Sequence, residues 1–167
     1  TYFHTRADDI FWPASKLDFV VAKQRTYHSL QAGAAVCIVS DMAIDTGLVE
    51  YLDAAGVTLA CGTPSHMIQL VEASSTQIAL PKLRAFEVRS ATVTEALRQN
   101  FRAKVSPNLF IAYATNEAEA VTIASPDLQS EVADTVGLPT EGMLVEVVDE
   151  NRIKVPPFFD HESNYCN

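Results

Sequence analysis

Residues 52–72 read LDAAGVTLACGTPSHMIQLVE. Gly56 suits the left-handed residue that closes a helix. Val57 to Cys61 is a short apolar run of the buried-strand kind. Pro64 then fits the first turn of a new helix over Ser65 to Ala73, because its missing N–H is not needed there. Helix, strand and helix in direct succession is the unit from which doubly wound sheets are built.

The same alternation extends both ways. Asp45 can cap the helix that ends at Gly56, with Leu48, Val49 and Leu52 facing inward. Ala35 to Val39 reads as a buried strand. From Asp18 the pattern is helical, with Val20, Val21, Tyr27 and Leu30 near a 3.6-residue spacing and Gly33 as the stop. The first sixteen residues are aromatic-rich and read as irregular. Downstream, Thr76 to Leu83 is a connection broken by Pro81, and Ala85 to Val88 is a strand. Thr92 or Thr94 caps a helix running to about Ala103. Asn108 to Tyr113 and Val121 to Ala124 are strands. Gly137 to Gly142 is a turn, and Met143 to Asp149 alternates like an antiparallel strand. Residues 157–167 read as a loose tail. The expected fold is α/β, with a doubly wound, mostly parallel sheet in a single unit over 1–167. Ligands of such sheets sit beyond the carboxyl ends of the strands, here the loops after Val39, Cys61, Val88 and Tyr113.

Composition narrows the function classes. The chain has 167 residues, 48% of them apolar, which is enough for a core without staples. Its 21 acidic residues outweigh 12 basic ones, for a net charge of -9. That excludes nucleic acid as the main partner and disfavours anionic membranes. A nucleotide is still allowed, since a few N–H groups can hold a phosphate. No apolar run reaches the length of a membrane span. The opening TYFHTRADD lacks the layout of a signal peptide and does not begin with Met, so Thr1 is read as a fragment boundary. Cys37, Cys61 and Cys166 form no CxxC pair. Their odd number and wide spacing suit a reducing, cytoplasmic setting. His4, His28, His66 and His161 show no metal spacing, and His28 and His66 read as surface or boundary residues. There is no GxSxG turn and no GxGxxG loop.

Five segments carry a family resemblance over about residues 8–156. LQAGAAVCIVSD (30–41) resembles a helix-to-strand unit of the adenylate-forming enzymes: acyl-CoA synthetases, aryl-CoA ligases and peptide-synthetase adenylation domains. LDAAGVTLACGTPSHMIQLVE (52–72) and LPKLRAFEVRSATVTEALRQNF (80–101) are similar to the units that follow it. YATNEAEAVTIASP (113–126) resembles the Y-G-x-T-E signature, and VGLPTEGMLVEVVDE (136–150) the segment after that. The likeness lies with the middle subdomain of the large N-terminal domain.

The resemblance implies a site. Ser90, Ala91 and Thr92 would lie against adenine, whose approach small side chains permit. Tyr113 would pack on the same ring, with Ala114 and Thr115 beside it. Asn116 would stand near the α-phosphate, and Glu117 would bind Mg²⁺ bridging the phosphates of ATP, as a hard cation beside a carboxylate allows. Phe19, Val20, Ala118 and Thr122 would line the acyl pocket. On the residues alone there are plainer alternatives: a strand-to-helix turn capped by Thr92, a solvated Glu117, Tyr113 as a half-buried strand end, and Phe19 and Val20 as core.

The sequence departs from the signature at Ala114, where the family has Gly, and at Asn116, where it has Thr. Ala restricts the backbone if that position needs positive φ, while the Asn amide can still donate. The resemblance implies a parent that turns a carboxylic acid and ATP into acyl-AMP. It would then load coenzyme A or a carrier-protein thiol, with the remainder of the parent enzyme as partner. The Gly/Ser/Thr-rich phosphate loop, the Thr-Gly-Asp ribose segment and the late catalytic Lys are not found in these residues. Such catalysis is mainly electrostatic, so the chain alone is expected to be inactive. Two rivals stay open: a degenerate, non-catalytic module of the same fold for nucleotide or protein binding, and an unrelated flavodoxin-like domain.

Overall fold

The computed structural model describes residues 3–39, 43–74 and 78–155. The expected tail, Cys166, His161 and the head of the connection at Thr76 lie outside them. Seven strands form one sheet in the order β2-β1-β3-β4-β5-β6-β7. They are β1 Ile10–Pro13, β2 Ala35–Val36, β3 Leu59–Gly62, β4 Ala85–Val88, β5 Leu109–Thr115, β6 Glu119–Ala124 and β7 Leu138–Pro139. Pairing is parallel from β2 through β5 and antiparallel for β6 and β7. The helices are α1 Val20–Gln31, α2 Thr46–Ala55, α3 Pro64–Ala73, α4 Glu95–Lys104 and α5 Pro126–Glu131. The doubly wound, mostly parallel architecture is as the alternation predicts.

Local chemistry explains the element ends. The Asp45 carboxylate accepts from Leu48 N at 2.9 Å, and Gly56 closes α2 in the left-handed region at φ 74°. Thr94, and not Thr92, caps α4, its hydroxyl accepting from Leu97 N at 3.4 Å. Ahead of α3, the Thr63 N–H donates to His66 Nδ1 at 3.1 Å, so this histidine is a capping residue. Gly137 lets β7 lie against β6, because a Cβ there would meet the Ile123 carbonyl carbon at 1.8 Å.

Three expectations fail. Gly137 to Gly142 is not a turn throughout, because Leu138–Pro139 within it pairs with β6 as β7. Ile10–Pro13 is no irregular segment but β1, held between β2 and β3, with Phe11 and Trp12 almost fully buried. Four residues ending in Pro are too few to show a period, and only the neighbouring strands define them. Met143 to Asp149 forms no strand. A single bridge, Val148 to Lys154, ties it to the residues after it, and Leu144 is exposed. Alternation alone cannot make a strand where no sheet edge is offered for pairing. The Ala35 to Val39 strand is also shorter than its apolar run, ending at Val36.

The two faces of the sheet are covered unequally. The main core joins α2, α3 and α4 to one face through Leu52, Met67, Leu70, Phe86, Phe101 and Leu109. The other face carries a smaller cluster around Phe3, Phe11, Leu59, Cys61 and Ala85, under α1.

Candidate functional site

The site begins with which side of α1 turns inward. Its buried residues are Ala22, Arg25, Thr26 and Ser29, spaced i, i+3, i+4 and i+7. Phe19, Tyr27 and Leu30 stand 60%, 59% and 55% exposed, and Val20 is also exposed. Phe19 and Val20 are therefore not core residues. Small side chains let α1 approach the sheet, and Arg25 then reaches Glu87 of β4. Its Nε donates to Glu87 Oε2 at 2.7 Å and its Nη2 to Oε1 at 3.1 Å. Arg89, just past β4, also pairs with Glu87. Sequence reading passed over this triad; the signal available was a Glu inside the apolar run Ala85 to Val88, which seldom stays buried without cations.

Desolvation lowers the Arg89 pKa to about 10, with Arg25 adding to the effect and Cys61 and Glu119 opposing it. Burial also lowers Arg25, against Cys61 and Glu119. The Cys61 thiol, buried beneath the triad, is pushed up to about 11 by burial, despite both guanidiniums. It is inert packing and not a nucleophile.

Beyond Arg89 the chain turns sharply, and Ser90 adopts φ 82°, which costs a non-glycine residue energy. Ser90, Ala91 and Thr92 are exposed at the carboxyl end of β4. Alongside, β5 carries an irregularity between Tyr113 and Ala114, a device that re-aims side chains at strand ends. Tyr113 is 54% exposed. Asn116, Glu117 and Ala118 form the turn into β6, with Ala118 N donating to Thr115 Oγ1 at 3.1 Å. Ala114 is not among the positive-φ residues, whereas Glu119 is, at φ 57°. The alanine in place of glycine therefore carries no backbone penalty at this position.

Phe19, Val20, Val21 and Gln24 of α1 face Arg89, Ser90, Ala114, Thr115 and Asn116 across a cleft of about 110 Å³. The structure thus gathers Phe19, Val20, Ser90, Ala114, Thr115 and Asn116 from three separate stretches of sequence. Tyr113, Ala91, Thr92 and Glu117 lie beside this cleft in the chain without lining it. Ala118 lines a second, wider cleft with Arg25, His28, Glu119 and Glu141. Thr122 belongs to neither: its hydroxyl donates to the Val136 carbonyl at 2.7 Å and pins the β7 segment to β6. Thr122 thus helps to hold the antiparallel edge of the sheet together.

Among the described residues no three His, Cys, Asp or Glu side chains cluster to hold a metal. Glu117, exposed at the hairpin tip, can offer one carboxylate. That fits Mg²⁺, which takes one or two carboxylates with phosphate and water oxygens. Among the described residues no helix is long and apolar enough to cross a membrane.

A model of the AMP-binding enzyme family matches residues 1–161. No curated protein matches the sequence. Among solved structures, a putative long-chain-fatty-acid CoA ligase from Rhodopseudomonas palustris is 18% identical, with a TM-score of 0.80 over 93% of this chain and 38% of that one. VinN is 23% identical at TM-score 0.77, covering 91% of this chain and 38% of its own. O-succinylbenzoate coenzyme A synthetase from Bacillus subtilis, in complex with ATP and magnesium ion, is 16% identical at TM-score 0.77, covering 90% and 31%. The chain therefore spans about a third of the length of the structures it matches. At these identities the likeness speaks for the fold.

Proposed function

The chain belongs to the AMP-binding enzyme family, and from that premise we propose that it supplies the adenine and Mg–ATP side of the site in an acyl-adenylate-forming ligase. The observation that carries this reading is the cleft shared by the α1 N-terminus, the left-handed turn at Ser90 and the β5 end. In this reading the exposed Tyr113 ring and the Ser90 to Thr92 turn frame the adenine. The Asn116 amide donates to the α-phosphate, and Glu117 holds Mg²⁺. The metal ion, when bound, neutralises charge on the phosphate oxygens. A carboxylate oxygen of the acid attacks the α-phosphorus as the bond to pyrophosphate breaks, giving acyl-AMP. Coenzyme A or a carrier-protein thiol would then take the acyl group. The phosphate loop, ribose-binding Asp and catalytic Lys would come from the remainder of the parent enzyme.

The experiment is a thermal-stability titration of the chain with a non-hydrolysable acyl-adenylate analogue, with and without Mg²⁺. The expected result is a Mg²⁺-dependent rise in Tm that Glu117→Gln removes. A Tm that ignores the analogue, or a Mg²⁺ effect that survives Glu117→Gln, overturns the assignment. The first of these outcomes favours a degenerate module of the same fold. Sequencing the reading frame on both sides of Thr1 and Asn167 tests for the parent.

A further inference from the structure

The candidate cleft has one wall on α1 and the other on the Ser90 turn and the end of β5. These walls stand on different halves of the sheet. Helix α1 lies chiefly against β1, β2 and β3, whereas the far wall rises from β4 and β5.

Apolar burial does little to fix α1 in place. Its buried residues are Ala22, Arg25, Thr26 and Ser29, and of these Ala22 alone is apolar. On the opposite face α2 buries Leu48, Val49 and Leu52, and α3 buries Met67 and Leu70. Hydrophobic attraction is non-directional, and here its share is small as well. Directed bonds must then set where the helix stands.

Arg25 supplies them. Its Nε and Nη2 donate to the two oxygens of Glu87 at 2.7 and 3.1 Å. Such a two-point grip fixes orientation as well as distance. The Phe3 ring flanks the guanidinium, its centre 5.7 Å from the central carbon. Glu87 is fully buried on the α1 side of β4, while Phe86 and Val88 beside it point into the main core. Two residues on, Arg89 pairs with the same carboxylate, and its backbone N–H donates to the Gly62 carbonyl at 3.2 Å. The left-handed Ser90 follows directly. One carboxylate is thus bonded to both walls: to α1 through Arg25, and to the Ser90 turn through Arg89. Neither arginine needs to touch a ligand for this.

We propose that Arg25 is a positioning residue of the nucleotide cleft: clamped on Glu87, it sets how far α1 stands from the Ser90 turn and the β5 end. The proposal rests on the ligase reading of that cleft. Without the clamp α1 stays helical but no longer keeps one distance from Ser90 and Asn116, so a ligand in the cleft loses a fixed wall.

The test uses the whole chain and Arg25→Met, which frees α1 and leaves Glu87 paired with Arg89. Amide hydrogen exchange, read by NMR without nucleotide, should become about tenfold faster in α1 and stay unchanged in α3. A non-hydrolysable acyl-adenylate analogue with Mg²⁺ should bind about tenfold more weakly. Arg25→Lys, which keeps a cation for Glu87, should recover part of both effects. Circular dichroism checks folding. If Arg25→Met does not fold, Arg25→Met combined with Glu87→Leu and Arg89→Met takes its place, since that variant leaves no buried charge unpaired. Unchanged exchange in α1 overturns the proposal. Equal acceleration in α1 and α3 also does, because it marks Arg25 as a general stabiliser. So does an affinity that stays at the wild-type value while α1 loosens. A wild-type chain that ignores the analogue is a separate failure: it removes the nucleotide from the cleft and overturns the ligase reading, and the proposal with it.

Discussion

The two faces of the sheet are built by different physics. The face under α2, α3 and α4 is held by apolar burial, with Leu52, Met67, Leu70, Phe86 and Phe101 closed off from water. The face under α1 is held by a small apolar cluster and a buried ion triad, while α1 turns Tyr27 and Leu30 outward. The apolar face is a foundation, and none of these five residues lines the candidate cleft. The charged face holds the cleft. Burying charge seldom stabilises more than apolar packing of equal volume would, and a triad kept beside a cleft is best understood through what it orients.

The largest effect should come from the foundation. Phe86→Ala removes a ring packed at 4.8 Å on that of Phe101 and should cost about 3–5 kcal/mol in denaturant unfolding. A smaller loss would mean that the apolar face is less tightly packed than its burial indicates.

Next comes the triad. Glu87→Ala leaves Arg25 and Arg89 buried without their shared carboxylate and should cost about 3 kcal/mol. Mutating Arg89 as well should recover part of that loss in a double-mutant cycle. Additive losses would show that the triad is not a unit.

A smaller effect is expected at Asp9, beneath β1. Burial alone would raise its carboxyl, but hydrogen bonds from Arg84, Arg6 N and Thr58, with the Arg84 charge, hold it near 2 against the ordinary 3.8. Its stabilisation is therefore fully present above pH 3.8 and is lost as the pH falls through about 2. That amounts to roughly 2 kcal/mol. Asp9→Asn should flatten this part of the stability–pH curve, and an unchanged curve would remove Asp9 from the account.

The smallest effect concerns the outward face of α1. Tyr27→Ser with Leu30→Ser should change the chain's stability by less than about 0.5 kcal/mol each. A loss above 1 kcal/mol would place these side chains in a core and cancel the contrast between the faces.

The sequence was most readable where local chemistry decides. Asp45 and Gly56 mark the ends of α2 by capping and by left-handed backbone, and both lie where the residue types demand. Val57 to Cys61 and Ala85 to Val88 are apolar runs bounded by turn residues, and the structure has β3 at Leu59–Gly62 and β4 at Ala85–Val88. The candidate cleft was legible only in part. Ser90, Ala114, Thr115 and Asn116 followed from segments that resemble a family, while Arg89 lay within the same segment and went unremarked. The resemblance implies a place for Thr122 in the acyl pocket, while the bond from its hydroxyl to the Val136 carbonyl had no signal in the sequence.

The sequence by itself determined the alternation of strands and helices that marks a mostly parallel α/β class, and the ends of α2, because capping and local periodicity depend on contacts only a few residues apart, whereas α5 at Pro126–Glu131 was not read. Tertiary structure alone decided that Ile10–Pro13 is a strand, that α1 buries Arg25 and exposes Leu30, and that Arg89 meets Asn116 across one cleft. These outcomes depend on partners dozens of residues away. A strand of four residues exists only when neighbours supply its hydrogen bonds, and a buried arginine is tolerated only where the fold brings a carboxylate to it.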